Sequence, residues 1–278
     1  MADPVYTPVK INELPEKETP VDADNVVLED SADSNKWKKF SFASLRTWVT
    51  TFFTAFKTAD NIFAGANVFP NLRFAGCTAE NNGANAEGEL TEAGADYSHS
   101  EGGKTIASEK WSHSEGYETL ASALIAHSEG YKSNARLLAQ HAHAGGYFTV
   151  AGDAQYTRNV LNKETEDATP VECIQGTTQR YVIPAGYTMA CTVTINASNA
   201  TGSVAGFYKR QALIKNIAGT TALIGTVQTI GTDIETGSIG GIAITADDTN
   251  DSLLVTVTGK AAETIRWVCV IDALEVGH

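Results

Sequence analysis

Cysteine is scarce: the 278 residues hold four, at Cys77, Cys173, Cys191 and Cys269, with no Cys-x-x-Cys pair and no regular spacing. That argues against a metal finger and against a disulfide framework, and leaves one bridge open. Long apolar runs are missing too. No stretch approaches the eighteen or so residues of a membrane span. The Met-Ala-Asp-Pro start lacks the charged and apolar regions of a secretory leader. The expectation is a chain without signal peptide, anchor or membrane insertion. Positive charge is also in short supply, 20 Lys and Arg against 33 Asp and Glu for a formal charge of −13. Nothing offers the basic stripe that phosphate binding needs, so nucleic acid is excluded as a partner. Simple electrostatic adhesion to an anionic surface is disfavoured for the same reason.

What the chain does have is a period. Asn85-Ala86-Glu87-Gly88 is followed fourteen residues on by His99-Ser100-Glu101-Gly102, then His113-Ser114-Glu115-Gly116, then His127-Ser128-Glu129-Gly130. A looser fifth copy reads as His143-Ala144-Gly145-Gly146 after a two-residue insertion. A short fixed period means a solenoid whose units bury their apolar face only against neighbours. Fourteen residues hold two short strands and two tight turns, with Gly at one corner, so the coils stack as a parallel β-roll. Its interior must be narrow, which suits Ala86, Ser100, Ser114 and Ser128 on one strand and Ala107, Ala121 and Ala135 on another. His and Glu lie two apart and share the opposite face. Stacking then gives a His ladder (His99, His113, His127 and His143) beside a Glu ladder (Glu87, Glu101, Glu115 and Glu129). Like charges about 5 Å apart repel, so the ladders are expected to find donors in each other or in trimer packing. A roll this thin is not expected to stand alone.

The His-Ser-Glu-Gly-Tyr-x-Thr-x-Ala-Ser units, over about residues 84–150, resemble the head repeats of trimeric autotransporter adhesins. They are still more similar to the His-x-Glu-Gly variant in bacteriophage fibre proteins. The resemblance implies a left-handed parallel β-roll in a homotrimer. The chain departs from it in the first copy, where Asn85 replaces His, and in the last; both read as caps.

The flanks differ in texture. Residues 1–40 carry spaced prolines and many acids around one strand-like run, Asn25 to Glu29. Leu45, Trp48, Val49, Phe52, Phe53 and Phe56 then fall on one face of a helix over about 41–57. This is the expected docking helix. The strings Ile11-Asn12-Glu13-Leu14-Pro15, Asp22 to Leu28 and Lys36-Trp37-Lys38-Lys39-Phe40-Ser41 resemble the attachment region of phage fibres. From about residue 165, β-rich runs alternate with turn clusters, which predicts an antiparallel β-sandwich or jelly roll. Its Asp-Asp-x-Asn-Asp-Ser-Leu turn and terminal Arg266-Trp267-Val268 strand resemble the C-terminal domain of such fibres. The fold class is therefore mainly β, in three parts. Residues 1–70 form an attachment segment with one helix, 71–160 the roll, and 161–278 the sandwich.

Several motifs dissolve on inspection. Gly102-Gly103-Lys104-Thr105 imitates the end of a phosphate-binding loop but lacks the upstream Gly and the strand-to-helix setting. Asp247, Asp248, Asn250 and Asp251 lack the spacing of a calcium loop. Two glycosylation sequons, at Asn196 and Asn199, matter only in a secretory pathway, and no Ser/His/Asp triad can be assembled. His141-Ala142-His143 puts two imidazoles on one face; three chains around an axis would supply six nitrogens, an octahedral transition-metal set. The bland reading, imidazoles bonded to their Glu neighbours, outweighs it, and no cofactor or metal is expected.

Together these features predict a structural, adhesive, non-enzymatic homotrimeric fibre of the virion, assembled in the host cytoplasm. Its N-terminus docks on other virion proteins and its C-terminal domain meets a bacterial receptor or glycan, with Tyr181, Tyr187 and Tyr208 as contact residues, joined by Phe207 and Trp267 as stacking candidates. The competing readings are a capsid-surface fibre and a tailspike depolymerase, for which the 33 acids offer many carboxylate pairs.

Overall fold

The computed structural model describes the backbone at residues 25–30, 36–41, 43, 46, 47, 49–51, 76–79 and 81–278. By contacts it divides into two units, Met1–Val68 and Phe69–His278.

In the first unit, β1 (Asn25–Asp30) pairs antiparallel with β2 (Lys36–Ser41), Asn25 facing Ser41 and Asp30 facing Lys36. Ala43, Arg46, Thr47 and 49–51 are helical, and the Thr47 hydroxyl donates to the Ala43 carbonyl one turn back at 2.9 Å. Of the expected docking face, Val49 is exposed. Leu45, Trp48, Phe52, Phe53 and Phe56 lie outside the described residues.

The second unit begins with the roll: β3 (Thr78–Ala79), β4 (Asn85–Glu89), β5 (Glu92–Ala93), β6 (His99–Gly103), β7 (Ile106–Ala107), β8 (His113–Tyr117), β9 (Leu120–Ala121), β10 (His127–Gly130), β11 (Asn134–Ala135) and β12 (His141–Ala144). The even strands stack in parallel as one sheet and the odd ones as a second, each residue facing its equivalent in the next coil. The protein is thus mainly β with a parallel β-solenoid of five coils.

Why so thin a solenoid closes is clear from its interior. Ala86, Ala93, Ala107, Ala121, Ala135 and Ala142 are buried, and between them sit hydroxyl pairs rather than oil. Ser100 meets Thr105 at 2.8 Å, Ser114 meets Thr119 at 2.8 Å, and Ser128 meets Ser133 at 2.7 Å. Each pair is satisfied further by a backbone carbonyl, as Thr119 donating to Glu115 O at 3.1 Å. The buried polar groups are thereby bonded, as they must be, and small side chains fill the stack up to the last coil, where Leu137 and Gln140 are buried.

One expectation about the repeat is corrected. β12 pairs with β10 so that His127 faces His141, Ser128 faces Ala142, Glu129 faces His143 and Gly130 faces Ala144. The fifth copy is therefore His141-Ala142-His143-Ala144, in register and without an insertion. His141 continues the His ladder, and His143 occupies the Glu column. The string His143-Ala144-Gly145-Gly146-Tyr147 keeps the His-x-x-Gly-Tyr pattern of the third and fourth copies; backbone pairing, not motif similarity, sets the register.

The remaining strands are β13 (Ala154–Thr165), β14 (Pro170–Glu172), β15 (Tyr181–Val182), β16 (Tyr187–Ser198), β17 (Ala205–Ile217), β18 (Thr220–Leu223), β19 (Gln228–Thr229), β20 (Ile234–Thr236), β21 (Ile242–Asp247), β22 (Ser252–Thr258) and β23 (Ile265–Gly277). They make two antiparallel sheets, β18-β17-β16-β23-β13 and one centred on β22, paired with β14, β15 and β21. One apolar core lies between them, including Trp267, Tyr181, Tyr208, Met189 and Val255. The arrangement is a sandwich; its long neighbouring strands β16, β17 and β23 do not reproduce the two interleaved Greek keys of a jelly roll.

β13 also finishes the roll, and the boundary expected after residue 160 falls inside it. Its backbone pairs antiparallel with β12. Its Gln155 side chain serves the other sheet: Oε1 accepts from Asn134 N at 2.8 Å and Nε2 donates to Asn134 O at 3.0 Å. A side-chain amide thus stands in for the peptide group of a sixth coil, and the open edge of β11 is closed. In the link before β13, Asp153 accepts the backbone N–H of Phe148 and of Val150, each at 2.8 Å, and that of Thr149. Burial opposes its charge, but these donors win and hold the carboxyl down at about 2.

Candidate functional site

Three surfaces carry chemistry. The first is the ladder. His99, His113, His127 and His141 stack face to face, with ring centroids 4.7, 4.7 and 4.9 Å apart. Each imidazole sits against the Glu of the coil before it: His113 Nε2 is 3.5 Å from Glu101, His127 Nε2 3.3 Å from Glu115 and His141 Nε2 3.1 Å from Glu129. Only the His127 contact has hydrogen-bond geometry; Nε2 of His99, His113 and His141 is occluded from solvent without such a bond. At the first rung Asn85 donates instead to Glu87 of its own coil at 2.6 Å. Glu129 differs from its peers because His143 Nδ1 also reaches it, at 3.1 Å. Burial raises its cost of ionisation, yet His141, His143 and His127 outweigh this and hold its carboxyl below the usual range.

The second surface was not read from the sequence. Tyr97, Trp111 and Ile125 stand fourteen residues apart, more than half exposed at 58%, 55% and 51%, on backbone with φ of +58°, +55° and +59°. Left-handed backbone at non-Gly residues costs roughly 1–2 kcal/mol each, so the corner is held by the coil: Trp111 N donates to Asp96 O and Ile125 N to Lys110 O. The Tyr97 and Trp111 rings are nearly parallel, 7° apart at 6.4 Å. Its signal in the sequence is the spacing alone: the three share the period of the His ladder, each two places before a His.

The third is a groove of about 780 Å³ on the outer face of the large sandwich sheet, lined among others by Tyr156, Gln211, Leu213, Gln228, Asp272 and Leu274. Its floor is ordered by ion pairing. Arg158 Nε donates to Asp272 at 2.7 Å, and the Tyr156 hydroxyl donates to the same carboxylate. Burial works against the Asp272 charge, but Arg158 and Tyr156 prevail and hold it low, while burial and the facing carboxylate push the Tyr156 phenol up. Amide groups beside aliphatic side chains suit a polar ligand with apolar faces.

The expected contact tyrosines are elsewhere. Tyr181 and Tyr208 are buried at 0% and 2%, and Trp267 at 1%, all in the sandwich core. This is a correction: they sit on inward positions of their strands, and the Trp267 indole donates to Thr165 at 3.0 Å within the core. Tyr187 is half-buried beneath the Arg136 guanidinium, 4.7 Å from its ring centre. Phe207 alone of the stacking candidates is exposed.

No family model matches the chain, and no curated protein matches it. Solved structures of phage tailspikes do. One is tailspike gp49 of Acinetobacter baumannii bacteriophage Fri1, a capsular polysaccharide depolymerase, at TM-score 0.29 and 9% identity over 68% of this chain and 36% of that one. Another is the tailspike of A. baumannii phage AM24, at 0.26 and 9% over 66% and 39%. The chain spans well under half the length of these two neighbours. The expectation of a non-enzymatic protein is corrected by the first of them, which is an enzyme, and is not kept. At TM-scores this low the likeness does not assign this chain an activity or a substrate.

Proposed function

We propose that this chain belongs to a homotrimeric phage tail appendage that engages bacterial surface polysaccharide. The observation that carries the trimer is an inversion. Apart from Cys77 in the first coil and Leu137 and Gln140 in the last, the described interior of the roll is Ala, Ser and Thr, while Tyr97, Trp111 and Ile125 stand outside in an unbroken column. A rod with its large apolar groups outside and small ones inside lacks a sufficient core, and an exposed apolar stripe marks an interface. Two sister copies supply the missing cover. Trp111→Glu is therefore expected to shift the protein from trimer to monomer, read as a threefold fall in mass by light scattering. A trimer unchanged in mass would remove this column from the interface.

The groove is the proposed polysaccharide contact. With a net charge of −13, recognition of an acidic or neutral glycan rests on hydrogen bonds and ring stacking, which Gln211, Gln228 and Tyr156 supply. Avidity from three such grooves makes weak sites effective. Residues 1–70, in this reading, dock on other virion proteins. Tyr156→Ala is expected to weaken binding to host capsular polysaccharide about tenfold, near 1.4 kcal/mol, measured by glycan retention with the trimer intact. The same incubation reads cleavage: new reducing ends would make the appendage a depolymerase. Unaltered binding by the variant would move the glycan site off this groove.

A further inference from the structure

The repeat is broken where its ladder ends. In the inner coils each Glu column position holds Glu, so a rung sets one imidazole between carboxylates, as His113 between Glu101 and Glu115. At the last rung His143 replaces Glu, and one carboxylate, Glu129, is surrounded by three imidazoles. The donor atoms of His127, Glu129 and His141 all lie within 4.8 Å of one another. His141 Nε2 and His143 Nδ1 each stand 3.1 Å from Glu129 Oε1. Four-coordinate zinc, with bonds near 2.0–2.1 Å, places neighbouring donors roughly 3.3 Å apart. His127, Glu129 and His141 are thus already gathered as a ligand set, and His143 stands beside their carboxylate.

Two further observations point the same way. His141 Nε2 stands 3.1 Å from Glu129 Oε1 but outside hydrogen-bond geometry and occluded from solvent, so no hydrogen bond already satisfies that donor. The strands carrying it are not free to drift: β12 is clamped between β10 and β13 in continuous register, with His141 facing Arg158 and His143 facing Tyr156. The side chains remain partly open, His127 at 37%, His141 at 42%, His143 at 54% and Glu129 at 31%, so an ion can enter.

The geometry points to a divalent transition-metal site of the zinc class within each chain, formed by His127, Glu129 and His141, with His143, beside Glu129, as fourth donor. It differs in stoichiometry from an axial site shared by three chains. Imidazole nitrogens and one carboxylate favour zinc, cobalt or nickel over magnesium or calcium, which want all-oxygen shells.

The test uses the full chain freed of metal with a chelator, titrated with Zn²⁺ alone by calorimetry, then with Co²⁺ followed by visible absorption. One ion per chain is expected, with the intense absorption of four-coordinate cobalt, and no competition from excess Mg²⁺. His143→Glu, which restores the inner-coil pattern and the fold it tolerates, is expected to weaken Zn²⁺ binding at least tenfold. Glu101→Gln, at an inner rung, leaves it unchanged. One ion per three chains would assign the metal to the axis instead and overturn the proposal. So would several equal weak ions per chain, which would make the whole ladder an unselective surface, or a His143→Glu protein that binds as before.

Discussion

Replacing Glu275 with Ala is expected to destabilise the protein by about 3–5 kcal/mol, the cost of stripping one partner from a buried ion pair. Glu275 is 3% exposed. It accepts from Arg136 of the last coil, from Gln155 at 2.9 Å and from Thr157 at 2.7 Å. Arg136 also donates to Gly152 O at 3.3 Å and lies over the Tyr187 ring. The pair therefore ties the roll to strand β23 of the sandwich. Removing the carboxylate leaves a guanidinium half-enclosed and unpaired, and frees the Gln155 amide that closes the β11 edge. A loss of that size lowers the melting temperature by roughly 10 °C in a chain this long. The double substitution Arg136→Met with Glu275→Leu is expected to recover most of it, since no orphan charge remains. A single variant melting within about 2 °C of the parent, under 1 kcal/mol, would show that the junction is held by the backbone pairing of β12 and β13 alone.

How far this junction could be read from the sequence depends on residue type. The roll was legible because its period repeats small inward residues and a Gly, and β16, β17, β22 and β23 because their apolar positions alternate. β13 was not, although it is twelve residues long. Its inward positions near the roll are Gln155, Thr157 and Asn159, buried but polar, so the alternation that marks a strand reads as loop. These residues satisfy the polar end of a solenoid rather than an oily core. The site followed the same rule. The His and Glu columns were visible from spacing two apart. The register of His141 was hidden by a better-looking motif two residues later, and the core positions of Tyr181 and Tyr208 depend on which face of the strand packs inward. The groove joins β13, β16, β17 and β23, whose meeting only tertiary structure fixes.

Gly116→Ala is expected to break the roll locally, at a cost of about 4 kcal/mol or more, beyond the ordinary range of single substitutions. Gly116 has φ of +104°, where a Cβ is strained, and that Cβ would stand 2.2 Å from the Gly130 carbonyl oxygen. Side chains can yield; this neighbour is backbone held in the parallel ladder of β8 and β10. The same collision repeats up the column, with Gly102 against Gly116 O at 2.1 Å and Gly130 against Ala144 O at 2.3 Å. Ala144 ends the column, and there a methyl is accepted because no further coil stacks above it. Gly145→Ala is the control: no atom lies within 4 Å of its Cβ position, so it is expected to stay within about 0.5 kcal/mol of the parent. Denaturant unfolding followed by far-ultraviolet dichroism separates the two. Because each coil is stable only through its neighbours, the lesion at Gly116 should open the coils on both sides of it and so expose backbone amides across 99–130 to hydrogen exchange. Protection confined to loss at residue 116 alone would mean that the coils stand independently.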